Sequence, residues 1–192
     1  MAAPRDAALP AAVGVLSGRR VSARRDAARD GALVRAAQGG SAEAMEELFR
    51  RHWPAAHRAA WLVVHDAAAA EDVAQEAFLA AVRSLDRFDR RRPFGPWLHR
   101  IVVNRAIDWT RARQLRGETE LLDVHAAPDA PASPNGTVLA ALAALPPEHR
   151  AVIVLRHLLE YTPGEIAELL ELPRGTVNSR LRRALDSLQE KV

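Results

Sequence analysis

The chain contains no cysteine, which excludes a disulfide framework and any thiolate metal site. Of 27 basic residues, Lys191 is the only lysine, a bias we read as codon usage rather than chemistry. No apolar run reaches the ~20 residues needed to cross a bilayer. The N-terminus carries arginines but no continuous apolar segment ahead of a cleavage site, so neither membrane insertion nor secretion is expected, and the expected compartment is the cytoplasm. Strand formers are scattered, whereas Ala, Leu, Arg and Glu dominate, which predicts an all-α fold. His52, His57 and His65 lack the i, i+4 spacing and the H-E-x-x-H pattern of a helical zinc site, so surface or packing roles are expected and no cofactor is implied.

What is present is a globular composition, 48% hydrophobic and 27% charged, on a length that fits one domain or two small ones. The net charge of +3 is unevenly spread: +3 over residues 1–30, +3 over 31–113, −3 over 114–136 and zero over 137–192. Any nucleic-acid contact must therefore come from local patches and not from a uniform basic field.

The stretch Glu71–Trp109, EDVAQEAFLAAVRSLDRFDRRRPFGPWLHRIVVNRAIDW, carries the strongest pattern. Ala74, Phe78, Ala81, Leu85 and Phe88 mark the buried stripe of a helix over 71–88. Its opposite face holds Asp72, Glu76, Leu79 and Arg83. Two carboxylates one turn apart cost an isolated helix about 0.2–0.5 kcal/mol. Two readings of the pair stand open: it lies near the helix start, where the dipole favours negative charge, or it forms an acidic docking face with Leu79 as its apolar contact. Arg90, Arg91 and Arg92 then form a basic loop, Phe94–Pro96 a turn, and residues 97–113 a second helix. Trp97, Leu98, Ile101, Val102 and Ile107 suit its buried side; Arg100, Asn104, Arg105, Arg111 and Arg113 supply donors.

Elsewhere, residues 1–29 read as a flexible extension. A short helix over 31–37 ends at Gly39 and Gly40, and Ser41 caps the next. Met45, Leu48, Phe49 and Trp53 line that helix, Pro54 predicts a kink or break, and Trp61, Leu62 and Val64 resume the pattern. Residues 114–136 are acidic and rich in breakers, a linker between two small domains. Helices follow over 137–145 and 147–159. Thr162, Pro163, Gly164 and Glu165 fit a capping box with proline at the first helical position, opening a helix that buries Ile166, Leu169 and Leu170. After a turn at 171–173, a helix over 175–190 buries Val177, Leu181, Ala184 and Leu188, leaving Thr176, Ser179, Arg182 and Arg183 outward, flanked by Asn178 and Arg180. Two short helices joined by a three-residue turn, the second with polar and Arg groups on its outer N-terminal face, form a helix-turn-helix.

The segments DVAQEAF and FGPWLHRIVVNRAIDW closely resemble region 2 of bacterial extracytoplasmic-function sigma factors. LPPEHRAVIVLRHL and YTPGEIAELLELPRGTVNSRLRRAL resemble region 4, so the likeness runs from about Asp30 to Leu188. The resemblance implies two small helical domains, a region 2 bundle (30–113) and a region 4 helix-turn-helix (137–192), joined by a flexible linker (114–136). It implies no catalysis of the chain's own, no cofactor and no small-molecule substrate. Asp72, Gln75, Glu76 and Leu79 would bind core RNA polymerase, at the β′ coiled coil, with the β subunit also in the complex. Arg90, Arg91, Arg92 and Asn104 would read the promoter −10 element, Arg100 and Arg105 would meet phosphates, and Phe94, Trp97 and Trp109 are the few aromatics available to stack on bases. Arg174, Thr176, Asn178, Ser179, Arg182 and Arg183 would read the −35 element. An anti-sigma partner is a further implication. Asn178 stands where the family often has Lys or Arg, and Glu171 where its turn often has Gly. The alternative reading is a helix-turn-helix regulator that binds DNA without polymerase.

Overall fold

A computed structural model of the protein describes residues 19–116 and 134–191, with side chains from residues 28 and 137 onward in the two runs. Its helices are α1 (Arg19–Gln38), α2 (Ala42–Val64), α3 (Ala67–Ser84), α4 (Phe94–Leu115), α5 (Pro134–Ala143), α6 (Pro147–Ile153), α7 (Pro163–Leu170) and α8 (Arg174–Gln189). A 3₁₀ turn at Leu85–Arg87 follows α3, and a π turn at Val154–Leu158 continues α6. No strand occurs among the described residues, so the fold is all-α, as the composition predicts.

Several details differ from the sequence expectation. Residues 19–29, expected in a flexible extension, belong to α1; the segment RRVSARRDAARD is rich in the strong helix formers Ala and Arg, but its weak periodicity hides the helix. Residues 1–18 and 117–133, the rest of that extension and most of the expected linker, lie outside the described residues. Pro54 does not break α2. It sits on the exposed side, next to exposed Arg50, whose carbonyl loses its helical donor where water can replace it. Finally, α4 begins at Phe94 instead of Trp97, because Pro96 falls in the first turn, where an N–H has no intrahelical acceptor.

Helices α2, α3 and α4 form the larger bundle. Ala56, Ala59, Ala60, Ala70, Ala74, Ala77 and Ala106 are buried between Leu48, Val63, Leu98, Val102 and Val103, and small residues in these seams let the helix backbones approach closely. Gln38 at the end of α1 donates to the carbonyls of Leu85 and Phe88 at 2.8 and 3.1 Å, tying α1 to the turn that leads into the Arg90–Arg92 loop. Asp66 caps α3 through Ala69 N at 3.0 Å and also accepts from Arg113 at 3.1 Å, so the start of α3 is tied to the end of α4. Leu98 is fully buried. Leu98→Ala is expected to cost about 2–5 kcal/mol, read as a lower midpoint in urea unfolding.

In the second half Val152, Leu155, Ile166, Val177 and Ala184 are fully buried, and their core is continuous with that of the first half. Polar contacts cross the same boundary. Buried Arg150 donates to the Val63 carbonyl at 2.6 Å and the Leu145 carbonyl at 3.1 Å. Val63 O belongs to the last turn of α2, so this guanidinium satisfies a helix end that has no intrahelical donor. Burial pulls Arg150 down to about 10, and it stays charged at neutral pH. His99 Nδ1 shares a 2.8 Å hydrogen bond with the Tyr161 hydroxyl, and Arg111 Nε donates to Glu148 at 2.7 Å. The free chain is therefore closed, with its two halves packed together.

The histidines serve this packing. His52 pairs with buried Asp30 at 2.9 Å, His57 stacks on Trp53, and His65 takes the left-handed cap position of α2, at φ 58°. Burial, then Arg150, lowers His65 from 6.5 to about 4; burial, then His52, lowers His99 from 6.5 to about 4. Between those values the unfolded chain binds more protons than the folded one. Stability is therefore expected to be full above about pH 6.5 and to fall toward pH 4, by up to about 1.4 kcal/mol per pH unit for each histidine. Urea midpoints at pH 7 and pH 5 measure the loss.

Candidate functional site

The exposed side of α3 is the first candidate surface. Asp72, Gln75, Glu76, Leu79 and Arg83 are exposed, while Ala74, Phe78, Ala81, Leu85 and Phe88 are buried, as the periodicity predicts. The structure bears on the two readings of the carboxylate pair. Because α3 starts at Ala67, its first turn contains no acidic residue, and the dipole effect fades within that turn. Asp72 and Glu76 are not helix-start carboxylates. Their environments differ: Glu76 accepts from Arg105 of α4 at 2.8 Å, whereas Asp72 has no ion-pair partner among the described residues. Gln75 donates to Glu71 at 3.1 Å.

The loop between α3 and α4 is shaped by Asp89, whose side chain accepts from Arg91 N at 3.0 Å and whose carbonyl accepts from Arg92 N at 2.9 Å. This Asx-type turn leaves Arg90, Arg91 and Arg92 exposed. With Gly31, Val34, Phe88, Pro93 and Phe94 they line a cavity of about 320 Å³. Phe94 is buried, and Trp97 packs half-buried against Phe88 and Phe94 at ring distances of 4.6 and 5.5 Å. On α4, Asn104 is exposed. Arg100 and Arg105, assigned from the sequence to phosphates, are both engaged within the chain, Arg100 with Glu171 at 2.6 Å and Arg105 with Glu76.

The second surface is the α7–α8 pair. Thr162 and Glu165 complete the capping box. Glu171 takes the left-handed conformation, φ 54° and ψ 43°, at the position where the sequence departs from glycine; a side chain there costs about 1 kcal/mol, and its carboxylate is the one that holds Arg100. Along α8, Arg174, Asn178, Arg182 and Arg183 are exposed, Thr176 and Ser179 half-buried, and Val177, Leu181 and Ala184 buried. Ser179 Oγ donates to the Thr176 carbonyl at 3.0 Å. The six residues predicted for this face lie together on one helix.

The contacts between halves have no counterpart in the sequence reading. His99–Tyr161 and Arg100–Glu171 join residues far apart in the chain, and spacing carries no signal for such pairs. Arg150 does carry one: it lies on the stripe of Pro147, Ala151 and Val154, and a charge on an apolar stripe implies buried partners.

The family models for Sigma-70 region 2 and Sigma-70 region 4 match residues 48–116 and 136–188. The chain is 35% identical over 157 residues to the ECF RNA polymerase sigma factor SigM of Mycobacterium tuberculosis, covering 81% of this chain and 80% of that protein. It is 36% identical over 146 residues to the ECF RNA polymerase sigma factor SigW of Bacillus subtilis, covering 67% and 76%. The protein belongs to the extracytoplasmic-function sigma factors. The solved structure of CnrH in complex with the cytosolic domain of CnrY is 32% identical, has a TM-score of 0.65 and covers 84% of this sigma factor and 96% of CnrH. Region 2 and region 4 are both present, in that order, and the family to which the sigma factor belongs acts in transcription initiation. No helix among its described residues is long and apolar enough to cross a membrane.

Proposed function

We propose that this sigma factor binds core RNA polymerase in the cytoplasm through Asp72, Gln75, Glu76 and Leu79, and then directs initiation at promoters with a defined −10 and −35 element. The observation that carries the docking assignment is an acidic pair with an apolar neighbour on the exposed middle of α3, where helix-start electrostatics do not explain it. In this reading residues 30–113 form the core-binding and −10 domain, 114–136 the linker and 137–192 the −35 domain. The Arg90–Arg92 loop and Asn104 read the −10 element, with Arg100 and Arg105 as phosphate partners once their carboxylates are displaced. The outer face of α8 (Arg174, Thr176, Asn178, Ser179, Arg182, Arg183) enters the major groove, where Arg suits guanine and Asn suits adenine. Polymerase supplies the chemistry. The complex of CnrH with CnrY supports an inhibitory protein partner for this chain too, covering the same surfaces.

Run-off transcription with purified core polymerase on a promoter library tests the reading. Selective initiation from a subset of promoters is the expected result; polymerase-independent binding to a palindrome would favour the stand-alone regulator instead. On the selected promoter, Arg183→Ala is expected to weaken binding by about 1–3 kcal/mol if it reads a base. An equal loss on scrambled DNA would make it a phosphate contact.

A further inference from the structure

Helix α1 ends at Gln38, ahead of residue 48, where the match to Sigma-70 region 2 begins. Asp30, Val34, Gln38 and Gly31 share about 100° of its circumference, at ~100° per residue. This face turns toward the Arg90–Arg92 loop, but the loop does not pack against it. The cavity of about 320 Å³ lies between them, walled on the α1 side by Gly31 and fully buried Val34. Outside the helix backbone, a Cβ on Gly31 would meet nothing nearer than Arg35 Nη1, at 3.9 Å. The glycine thus leaves the space open, although alanine is the better helix former. Apolar packing fixes Phe88 and Phe94 at the ends of the loop but not the residues between them. The loop's own hydrogen bonds are those of the Asp89 turn, so where it stands is decided at its two ends.

Helix α1 reaches both. At the entry, Gln38 Nε2 donates to the Leu85 and Phe88 carbonyls at 2.8 and 3.1 Å. Phe88 N bonds Leu85 O at 2.9 Å, so the two carbonyls belong to one closed turn. Gln38 Oε1 is buried with no partner among the described residues, so what the amide contributes here is its donor. At the exit, buried Asp30 pairs with His52 Nε2 at 2.9 Å. That bond pins the imidazole of α2 against the start of α4. Its ring lies 5.1 Å from the Phe94 ring, and a Cβ on Gly95 would stand 3.4 Å from His52 Cε1. One helix face therefore clamps the chain on both sides of the three arginines.

We propose that α1 is the positioning element of the −10 reader, with Gln38 setting the entry of the Arg90–Arg92 loop and the Asp30–His52 pair its exit. Neither Gln38 nor Asp30 touches DNA. They fix the spacing and aim of the guanidiniums, and so govern which −10 sequences are accepted, not how tightly core polymerase or the −35 element is held. The inference rests on the −10 assignment proposed above.

Holoenzyme assembled from core polymerase and the full-length sigma factor tests it. Kd is measured on the selected promoter, on forms with each −10 base pair replaced, and on a form with the −35 element replaced; affinity for core is measured alongside. Gln38→Met keeps the side-chain length and removes the donor. It is expected to lower −10 discrimination by about fivefold, the low end for one base contact, with −35 discrimination and core affinity unchanged. Gln38→Lys restores a donor and should behave as wild type. His52→Gln keeps an amide for Asp30 but withdraws the ring from Gly95, and should also lower −10 discrimination. Unaltered −10 discrimination in Gln38→Met and His52→Gln would overturn the inference, as would a parallel loss at −35 and core, which marks a merely structural support. Arg90→Ala, Arg91→Ala and Arg92→Ala combined separate the two levels: if this triple variant also keeps its −10 discrimination, the −10 assignment of the loop falls as well. Should circular dichroism show that Gln38→Met disturbs the bundle, His52→Gln decides alone.

Discussion

Asp72→Arg combined with Glu76→Arg is expected to abolish binding to core polymerase while leaving the helical circular dichroism of the protein unchanged. The double change reverses both carboxylates of the α3 face. It replaces attraction for a basic partner with repulsion, and like-charge juxtaposition at an interface costs several kcal/mol. It also sets a second guanidinium beside Arg105, so that edge goes from a neutral ion pair to two positive charges. The fold tolerates the change because both side chains are exposed and Arg is as good a helix former as Glu. A polymerase titration with core in excess reads the loss directly. Unchanged binding would remove the docking assignment and, with it, the main reason for treating α3 as the point of attachment.

Arg150→Ala is expected to loosen the closed arrangement of the two halves. The guanidinium is buried and bonds one carbonyl from each half. Removing it strands the Val63 and Leu145 carbonyls without a donor, at about 1–3 kcal/mol for each buried group left unpaired. Some of that is recovered when the halves separate and water reaches Val63 O. A net shift of about 2 kcal/mol toward open forms corresponds to roughly thirtyfold. Small-angle scattering should show a larger radius of gyration than wild type, with the helix content retained. A scattering curve superimposable on that of wild type would mean that apolar packing and the His99–Tyr161 bond suffice to hold the halves together.

The parts of this protein that are legible in its sequence are those governed by short-range periodicity. The stripe of Ala74, Phe78, Ala81 and Leu85 and the outward set on α8 follow from 3.6 residues per turn, and the Thr162–Glu165 capping box is a local hydrogen-bond pattern. Features that depend on context are not. Pro54 reads as a breaker, but α2 continues because its neighbours are pinned in the core and the orphaned carbonyl faces solvent. Periodicity places the start of α3 four residues late, since Ala67–Ala70 offers none; that small error keeps the helix-start reading of Asp72 and Glu76 open. The closed arrangement depends on Arg100, Arg111 and Arg150 finding partners tens of residues away, which no spacing rule reports.

The pairs Arg100–Glu171 and Arg111–Glu148 have a consequence for how DNA binding responds to salt. In this state two guanidiniums of α4 hold carboxylates, and if α4 donors meet phosphates, as proposed above for Arg100, those carboxylates are anions that compete with DNA. Where an arginine meets DNA with no such occupant, the gain comes from counterions released by the duplex, with a slope near −0.9 per neutralised phosphate. Here the displaced carboxylates attract cations of their own as they are set free, and each exchange returns part of that release. The free protein should therefore show a shallower log–log salt dependence than its number of phosphate contacts predicts. Glu171→Gln with Glu148→Gln should steepen the slope toward the full value while raising affinity at low ionic strength.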